Sequence, residues 1–128
     1  VIGADGARSA VARAALPKVK PPPCVFAYHE IIRSPSADFD GGRCDVIYQG
    51  DVSPDFYGWV FPPGETTSVG VGSARKGFAL RASVEMLRSK SGLDKCATVR
   101  GEGAPIPLKP LKRWDNGRDV VVCGDAAG

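Results

Sequence analysis

Apolar residues recur along this chain in two rhythms. Runs rich in Val, Ile and aromatic residues stand at 1–4, 24–33, 44–50, 57–62, 66–74 and 119–123, and each reads as a strand. Two other segments repeat at helical spacing. In "SAVARAAL" Ser9 can cap a helix that Pro17 ends. Over 78–90, Leu80, Val84 and Leu87 fall on one stripe, and Ser91-Gly92 closes it. "KVKPPPC" predicts a stiff, extended connector, because three successive prolines exclude helix. The links between the four middle strands are short and rich in Ser, Pro, Asp and Gly, which fits an antiparallel meander. "GEGAPIPLKPLKRW" carries too much proline for a helix or a central strand and predicts an extended run along a surface or cleft. "DNGR" predicts an Asn-Gly turn before the last strand.

Both ends of the chain have the same organisation: an apolar strand, a Gly/Asp turn, then small residues fit to begin a helix. In "DVVVCGDAAG" the triple Val suits a parallel strand buried on both faces, with Cys123 as a small buried hydrophobe. Gly124 allows a sharp turn and Asp125 follows it at a helix start, where free N–H groups attract an anion. A carboxylate there suits sugar-type hydroxyls of the same ligand, although Asp125 as a plain helix cap explains the stretch equally well. In "VIGADGARSAVAR" Gly6 permits a positive φ after Asp5, and the Arg8 fork stands beside the turn, suited to a phosphate or to a merely structural corner.

The middle carries "YGWVFPPGETTSVGVGSA". Strand alternation places Tyr57, Trp59 and Phe61 on one face, and Ser68, Gly70 and Gly72 on one face of the return strand after a link at Pro62–Glu65. An aromatic row beside a glycine stripe predicts a groove with apolar walls and a bare floor, fit for a long hydrocarbon or a flat ring system. An aromatic core cluster with glycines at a twisted edge is the alternative.

Charge refines this picture. The 128 residues carry a net +3, but residues 75–118 hold eleven Lys/Arg against four acids, while residues 1–74 are slightly acidic. Such a segment suits a diphosphate, a nicotinamide nucleotide or an anionic membrane surface, or is a solvated basic face. Its bases are not interleaved with aromatics for stacking, which argues against nucleic acid. Cysteines at 24, 44, 96 and 123 make no metal-type pattern and suit a reducing, cytoplasmic setting, and a single histidine, His29, reads as structural. No run approaches the ~20 apolar residues of a membrane span.

"GADGARSAVAR" and "VVVCGDAAG" resemble the DG and GD motifs of FAD-dependent oxidoreductases of the p-hydroxybenzoate-hydroxylase type, in that family's order and with a β-rich segment between them. "YGWVFP" followed by "VGVG", together with "VFAYHEIIRSP", "DVIYQG" and "APIPLKPLKRW", resembles the geranylgeranyl reductase family, in particular its chlorophyll and bacteriochlorophyll branch. One departure is visible: Ala12 stands where the DG motif usually has Arg, and Arg13 follows. The resemblance implies an α/β (mixed α+β) fold in which an antiparallel substrate-binding sheet lies between two pieces of a parallel FAD/NAD(P)-binding sheet. Residues 1–20 and 113–128 would then belong to the FAD-binding part, and 21–112 to the substrate region. Asp5, Gly6 and Arg8 would lie near the pyrophosphate and the nicotinamide approach, Gly124 and Asp125 at the ribityl chain, and Tyr57, Trp59, Phe61, Gly70 and Gly72 at the substrate. The implied activity is NADPH-dependent, FAD-mediated reduction of geranylgeranyl C=C bonds to phytyl. The substrate would be the pigment-esterified chain or geranylgeranyl diphosphate, acted on in the cytoplasm at the periphery of a photosynthetic membrane, with no metal. No residue is assigned a catalytic role. The absence of a GxGxxG loop implies an internal stretch of a longer flavoprotein, inactive by itself. The alternatives are an aromatic-ring monooxygenase of the same fold, an archaeal-type geranylgeranyl lipid reductase, and a lipid- or pigment-binding module without chemistry.

Overall fold

The β-branched and aromatic runs are extended in the fold, as their side chains pack best on a pleated surface. The computed structural model describes residues 1–35, 40–62 and 64–128. In chain order they form β1 (Ile2–Gly3), α1 (Ala10–Ala15), β2 (Cys24–Arg33), β3 (Asp45–Ile47), β4 (Gly58–Phe61), β5 (Thr66–Ser73), α2 (Leu80–Lys90), β6 (Thr98–Pro107) and β7 (Val121–Val122), with a 3-10 turn at Gly124–Ala126. Position 63 of the expected hairpin link lies outside the described residues; Gly64 beside it has φ +117°. Two units are distinguished, one of residues 1–25 with 105–128 and one of residues 26–104.

The second unit is built on a five-stranded sheet of order β3-β4-β5-β2-β6. β3, β4 and β5 form the expected antiparallel meander, but β2 leaves sequence order and pairs with β5 over Phe26–Arg33. Length decides this: β3 has three residues and offers too short an edge for a ten-residue strand. β6 takes the outer edge beyond β2, where its prolines withhold no N–H that a further strand would need. The first part of the proline-rich stretch thus extends as expected, within an edge strand over Thr98–Pro107.

One face of this sheet is the core. Ile32, Val60, Val69 and Val71 meet Val84 and Leu87 of α2, with Val52 and Leu93 closing the ends. Gly58 lets the helix approach, since a Cβ there would stand 2.8 Å from Leu87 Cδ2 and from Val52 Cγ1. Behind the helix, Arg88 clamps the return of the chain. Its guanidinium donates to Glu30 Oε2 (2.5 Å), Thr98 Oγ1 (2.8 Å) and the carbonyls of Leu93 (3.2 Å) and Cys96 (2.5 Å).

In the first unit β1 and β7 pair in parallel, Ile2 opposite Val121 and Gly3 opposite Val122. Leu16, Val122 and Ala126 form its buried cluster, joined by Val11, Ala15 and Leu111. Within this chain α1 covers one side of the pair: Val122 is 3% exposed, while Val121 and Ile2 on the other side are 43% and 73% exposed. Alternation places Cys123 on the same side as Val121. The Asn-Gly turn forms as expected: Gly117 has φ +74°, and Asn116 Oδ1 accepts from the N–H groups of Arg118, Asp119 and Val120 at 3.0–3.1 Å.

Candidate functional site

Parallel pairing of β1 with β7 brings the Asp5–Arg8 turn and the Gly124–Asp125 turn to the same end of two adjacent strands. Gly3 makes this close arrangement possible. A Cβ at that position would lie 2.8 Å from Val11 Cβ and 3.0 Å from Val122 Cγ1, so α1 packs directly on the strands. Nothing in the local sequence marks Gly3 as needed; the requirement appears only when the helix folds back.

The two turns differ in what they leave free. Asp5 serves α1: one carboxylate oxygen accepts from the Ser9 hydroxyl (2.5 Å), the other from the N–H of Ala10 (2.7 Å) and of Val11 (3.3 Å). Ser9 Oγ in turn accepts from Ala12 N (2.8 Å), which makes it the cap the sequence predicts. Asp125 is exposed, and its carboxylate has no hydrogen-bond partner among the described residues. Asp125 lies within the 3-10 turn Gly124–Ala126, which is closed by Ala127 N donating to Gly124 O (2.8 Å). Gly6 (φ +79°) and Gly124 (φ +60°) both take the left-handed conformation, and a Cβ on either would meet nothing within 4 Å.

The Ser9 hydroxyl holds the Asp5 carboxyl below its ordinary value of 3.8, against desolvation, which raises it, and with the helix N–H groups adding to the lowering. An acid lowered on folding contributes stability that is complete above its unfolded value and lost as pH falls through the lower folded one. The advantage of the wild-type chain over Asp5→Asn should therefore shrink as pH drops below about 4 and vanish once both forms are neutral. Urea midpoints measured in parallel across that range check this. A constant difference would show that Asp5 acts without its charge.

Next to these turns, within the same unit, lies a cavity of about 540 Å³ lined by Arg8, Arg13, Leu16, Asp125 and Gly128 among others. Arg8 forms no ion pair among the described residues, and Arg13 Nη1 donates to Arg8 O. Two guanidinium groups and one carboxylate leave the cavity net positive: suited to an anion, with an acceptor for hydroxyl groups nearby. Arg13, displaced by one position from the motif's usual Arg, thus lines the same space. Gly128 packs under the prolyl segment, where a Cβ would stand 2.5 Å from Lys109 O, and Leu111 N donates to Ala127 O (2.7 Å). That tertiary return has no local signal in the sequence.

In the second unit the aromatic row forms as alternation predicts. Ring centroids lie 6.2 Å apart for both Tyr57–Trp59 and Trp59–Phe61, and Tyr48 joins at 5.5 Å from Tyr57. The groove with a bare glycine floor does not form. A Cβ on Gly70 would fall 2.1 Å from Trp59 Cζ2, and one on Gly72 would fall 2.6 Å from Phe56 Cδ1. The space the glycines vacate is filled by the protein's own rings, and Trp59 is left 8% exposed. The half-buried edges of Tyr57 and Phe61 remain accessible. A separate cavity of about 660 Å³, lined by Phe26, Tyr28, Phe78, Leu80 and Arg81 among others, was not foreseen from sequence; the Arg81 guanidinium stands 5.0 Å from the centre of the Tyr28 ring.

No family profile matches the chain. Over its whole length it is 58% identical to a geranylgeranyl diphosphate reductase of Rhodobacter capsulatus, and it spans 33% of that protein. A geranylgeranyl bacteriochlorophyll reductase-like protein of Thermoplasma acidophilum superposes on 81% of the chain with a TM-score of 0.63 and 25% identity, over 27% of its own length. Aklavinone-11 hydroxylase, solved with FAD and aklavinone, shares the fold at a TM-score of 0.62 and 22% identity, over 98% of this chain and 25% of its own. The chain thus corresponds to about a third of the length of the reductase it matches. Along its whole length the chain is similar to geranylgeranyl reductases.

Proposed function

We propose that this chain is part of an FAD-dependent enzyme that reduces C=C bonds of a geranylgeranyl chain, with NADPH as the source of reducing equivalents. The observation that carries the reading is the whole-length identity to a geranylgeranyl diphosphate reductase. The residues of the paired turns fit a flavin dinucleotide: Gly6 and Gly124 leave their Cβ directions open, Arg8 and Arg13 offer cationic forks, and Asp125 offers an unpartnered carboxylate. When bound, reduced flavin would supply hydride to a double bond. In this reading Arg8 and Arg13 hold the diphosphate and Asp125 accepts from ribityl hydroxyls. Asp5 acts indirectly, by fixing the start of α1. Tyr57, Trp59 and Phe61 form an apolar wall for the prenyl chain, and Gly70 and Gly72 seat the rings that build it. The substrate is the pigment-esterified chain or geranylgeranyl diphosphate. No helix among the described residues is long and apolar enough to cross a membrane. In this reading a membrane-borne chain is reached peripherally, on the cytoplasmic side of a photosynthetic membrane.

The full-length protein, loaded with FAD and given NADPH and geranylgeranyl diphosphate or the geranylgeranylated pigment, should yield products heavier by two hydrogens per bond reduced. Incorporation of one oxygen atom would instead establish a monooxygenase, and unaltered substrates would overturn the reading. Asp125→Ala should purify flavin-poor, with FAD binding weakened about tenfold to a hundredfold, the weight of a charged hydrogen bond, and with the melting temperature of the wild-type apoprotein. Full flavin occupancy after dialysis would remove Asp125 from the site.

A further inference from the structure

We infer that Ser68, held by His29, is a positioning residue that sets the orientation of the Trp59 indole in the aromatic wall. This rests on the reading of that wall as the prenyl-binding surface. Gly70 sits between Trp59 and His29 in the sheet, directly opposite Trp59 on β4 and directly opposite His29 on β2. With any larger residue at 70 the two rings would be held apart. A Cβ there would meet Trp59 Cζ2 at 2.1 Å and His29 Cβ at 2.7 Å. Glycine lets the indole lie across β5 until its centroid is 6.3 Å from the imidazole.

Ser68, two residues before Gly70 and on the same face, reaches both rings. Its Oγ stands 3.1 Å from Trp59 Nε1 and 3.0 Å from His29 Nδ1. An indole N–H only donates, so Ser68 Oγ accepts from Trp59. The serine proton then has His29 Nδ1 within reach as its acceptor. On its other side the imidazole Nε2 is turned toward Glu102 Oε2 at 3.9 Å, and Glu102 is itself paired with Arg100. The chain of contacts runs from β6 through β2 to β5 and ends on the indole. Packing confines the ring to the row, stacked on Phe61 at 29° and edge-on to Tyr57 at 67°, and a hydrogen bond at one ring atom fixes its rotation there.

The test uses the full-length protein and the Trp59 contribution to the near-ultraviolet circular dichroism, isolated as the difference from each protein's Trp59→Phe counterpart. Ser68→Ala should lose about half or more of that contribution, Ser68→Thr should keep it, and His29→Leu should fall between them. With geranylgeranyl diphosphate, Ser68→Ala should raise KM about two- to tenfold, as one hydrogen bond would, while flavin content and kcat stay near wild type. An unchanged Trp59 band in Ser68→Ala overturns the inference, as does a diminished band with unaltered KM. If the wild-type enzyme leaves every prenyl substrate unreduced, the functional reading fails instead, and the band alone decides whether Ser68 holds the indole.

Discussion

Replacing Arg88 by Met should destabilise the protein by about 3–5 kcal/mol, the range found when one member of a buried ion pair is removed. The Arg88 and Glu30 side chains are 11% and 14% exposed, so Glu30 would be left with a buried, unmatched charge. The loss extends further than one pair. The same guanidinium satisfies the carbonyls of Leu93 and Cys96 and the Thr98 hydroxyl, and so fixes the chain between the end of α2 and the start of β6. Lysine should recover only a small part of the loss, since a single ammonium lacks the planar fork that reaches β2 and two carbonyls together. Glu30→Gln with Arg88→Met should be less damaging than Arg88→Met alone, because no charge is then stranded. Urea unfolding of the four proteins measures this; a loss below about 1 kcal/mol for Arg88→Met would reduce the clamp to a surface pair.

A loss of similar size is expected at Trp59. Trp59→Ala removes a side chain that is 8% exposed and lies over Gly70, with an expected cost of about 3–5 kcal/mol. Gly70→Ala should also destabilise, by about 1–3 kcal/mol, because its new methyl group occupies the position of the indole. The two effects should not add. In the double variant the methyl group enters space that the missing ring has left, so the combined cost should fall short of the sum by at least about 0.5 kcal/mol. Additive losses would mean that the indole does not rest on Gly70. Retained flavin with accumulation of partly reduced chains in Trp59→Ala would support the prenyl wall; loss of flavin together with solubility would mark Trp59 as core alone.

Much of the architecture was legible because it is local. Leu80, Val84 and Leu87 announced which side of α2 would be covered, Ser9 and Pro17 bounded α1, and Asn116-Gly117 made its turn from its own side chain and a positive φ. The aromatic row follows from period-two alternation, so Tyr57, Trp59 and Phe61 were placed on one face before any neighbour was known. What alternation leaves open is what the opposing strand supplies. The glycines at 70 and 72 suggested an open floor for a ligand, but an intrastrand pattern does not say whether an empty Cβ position faces solvent or a ring. Cross-strand pairing set Trp59 over Gly70 and brought the Phe56 ring to Gly72.

The ends of the chain divide in the same way. The strand–turn character of "VIGADG" and "VVVCGD" is a property of their own residues, as is the need for a positive φ at Gly6 and Gly124. That these two turns stand side by side, with Arg8, Arg13 and Asp125 around one cavity, depends on parallel pairing between strands more than a hundred residues apart. Asp5 belongs to the local half of this division: its carboxylate is met by Ser9, Ala10 and Val11, four to six residues further on. The N–H donors that Asp5 meets come from the helix that directly follows its turn, whereas the Trp59 indole meets a serine and a glycine of the neighbouring strand. Local sequence chooses the conformations a residue can adopt and the partners within a turn of it, but the contacts between strands are chosen by segments distant in the chain.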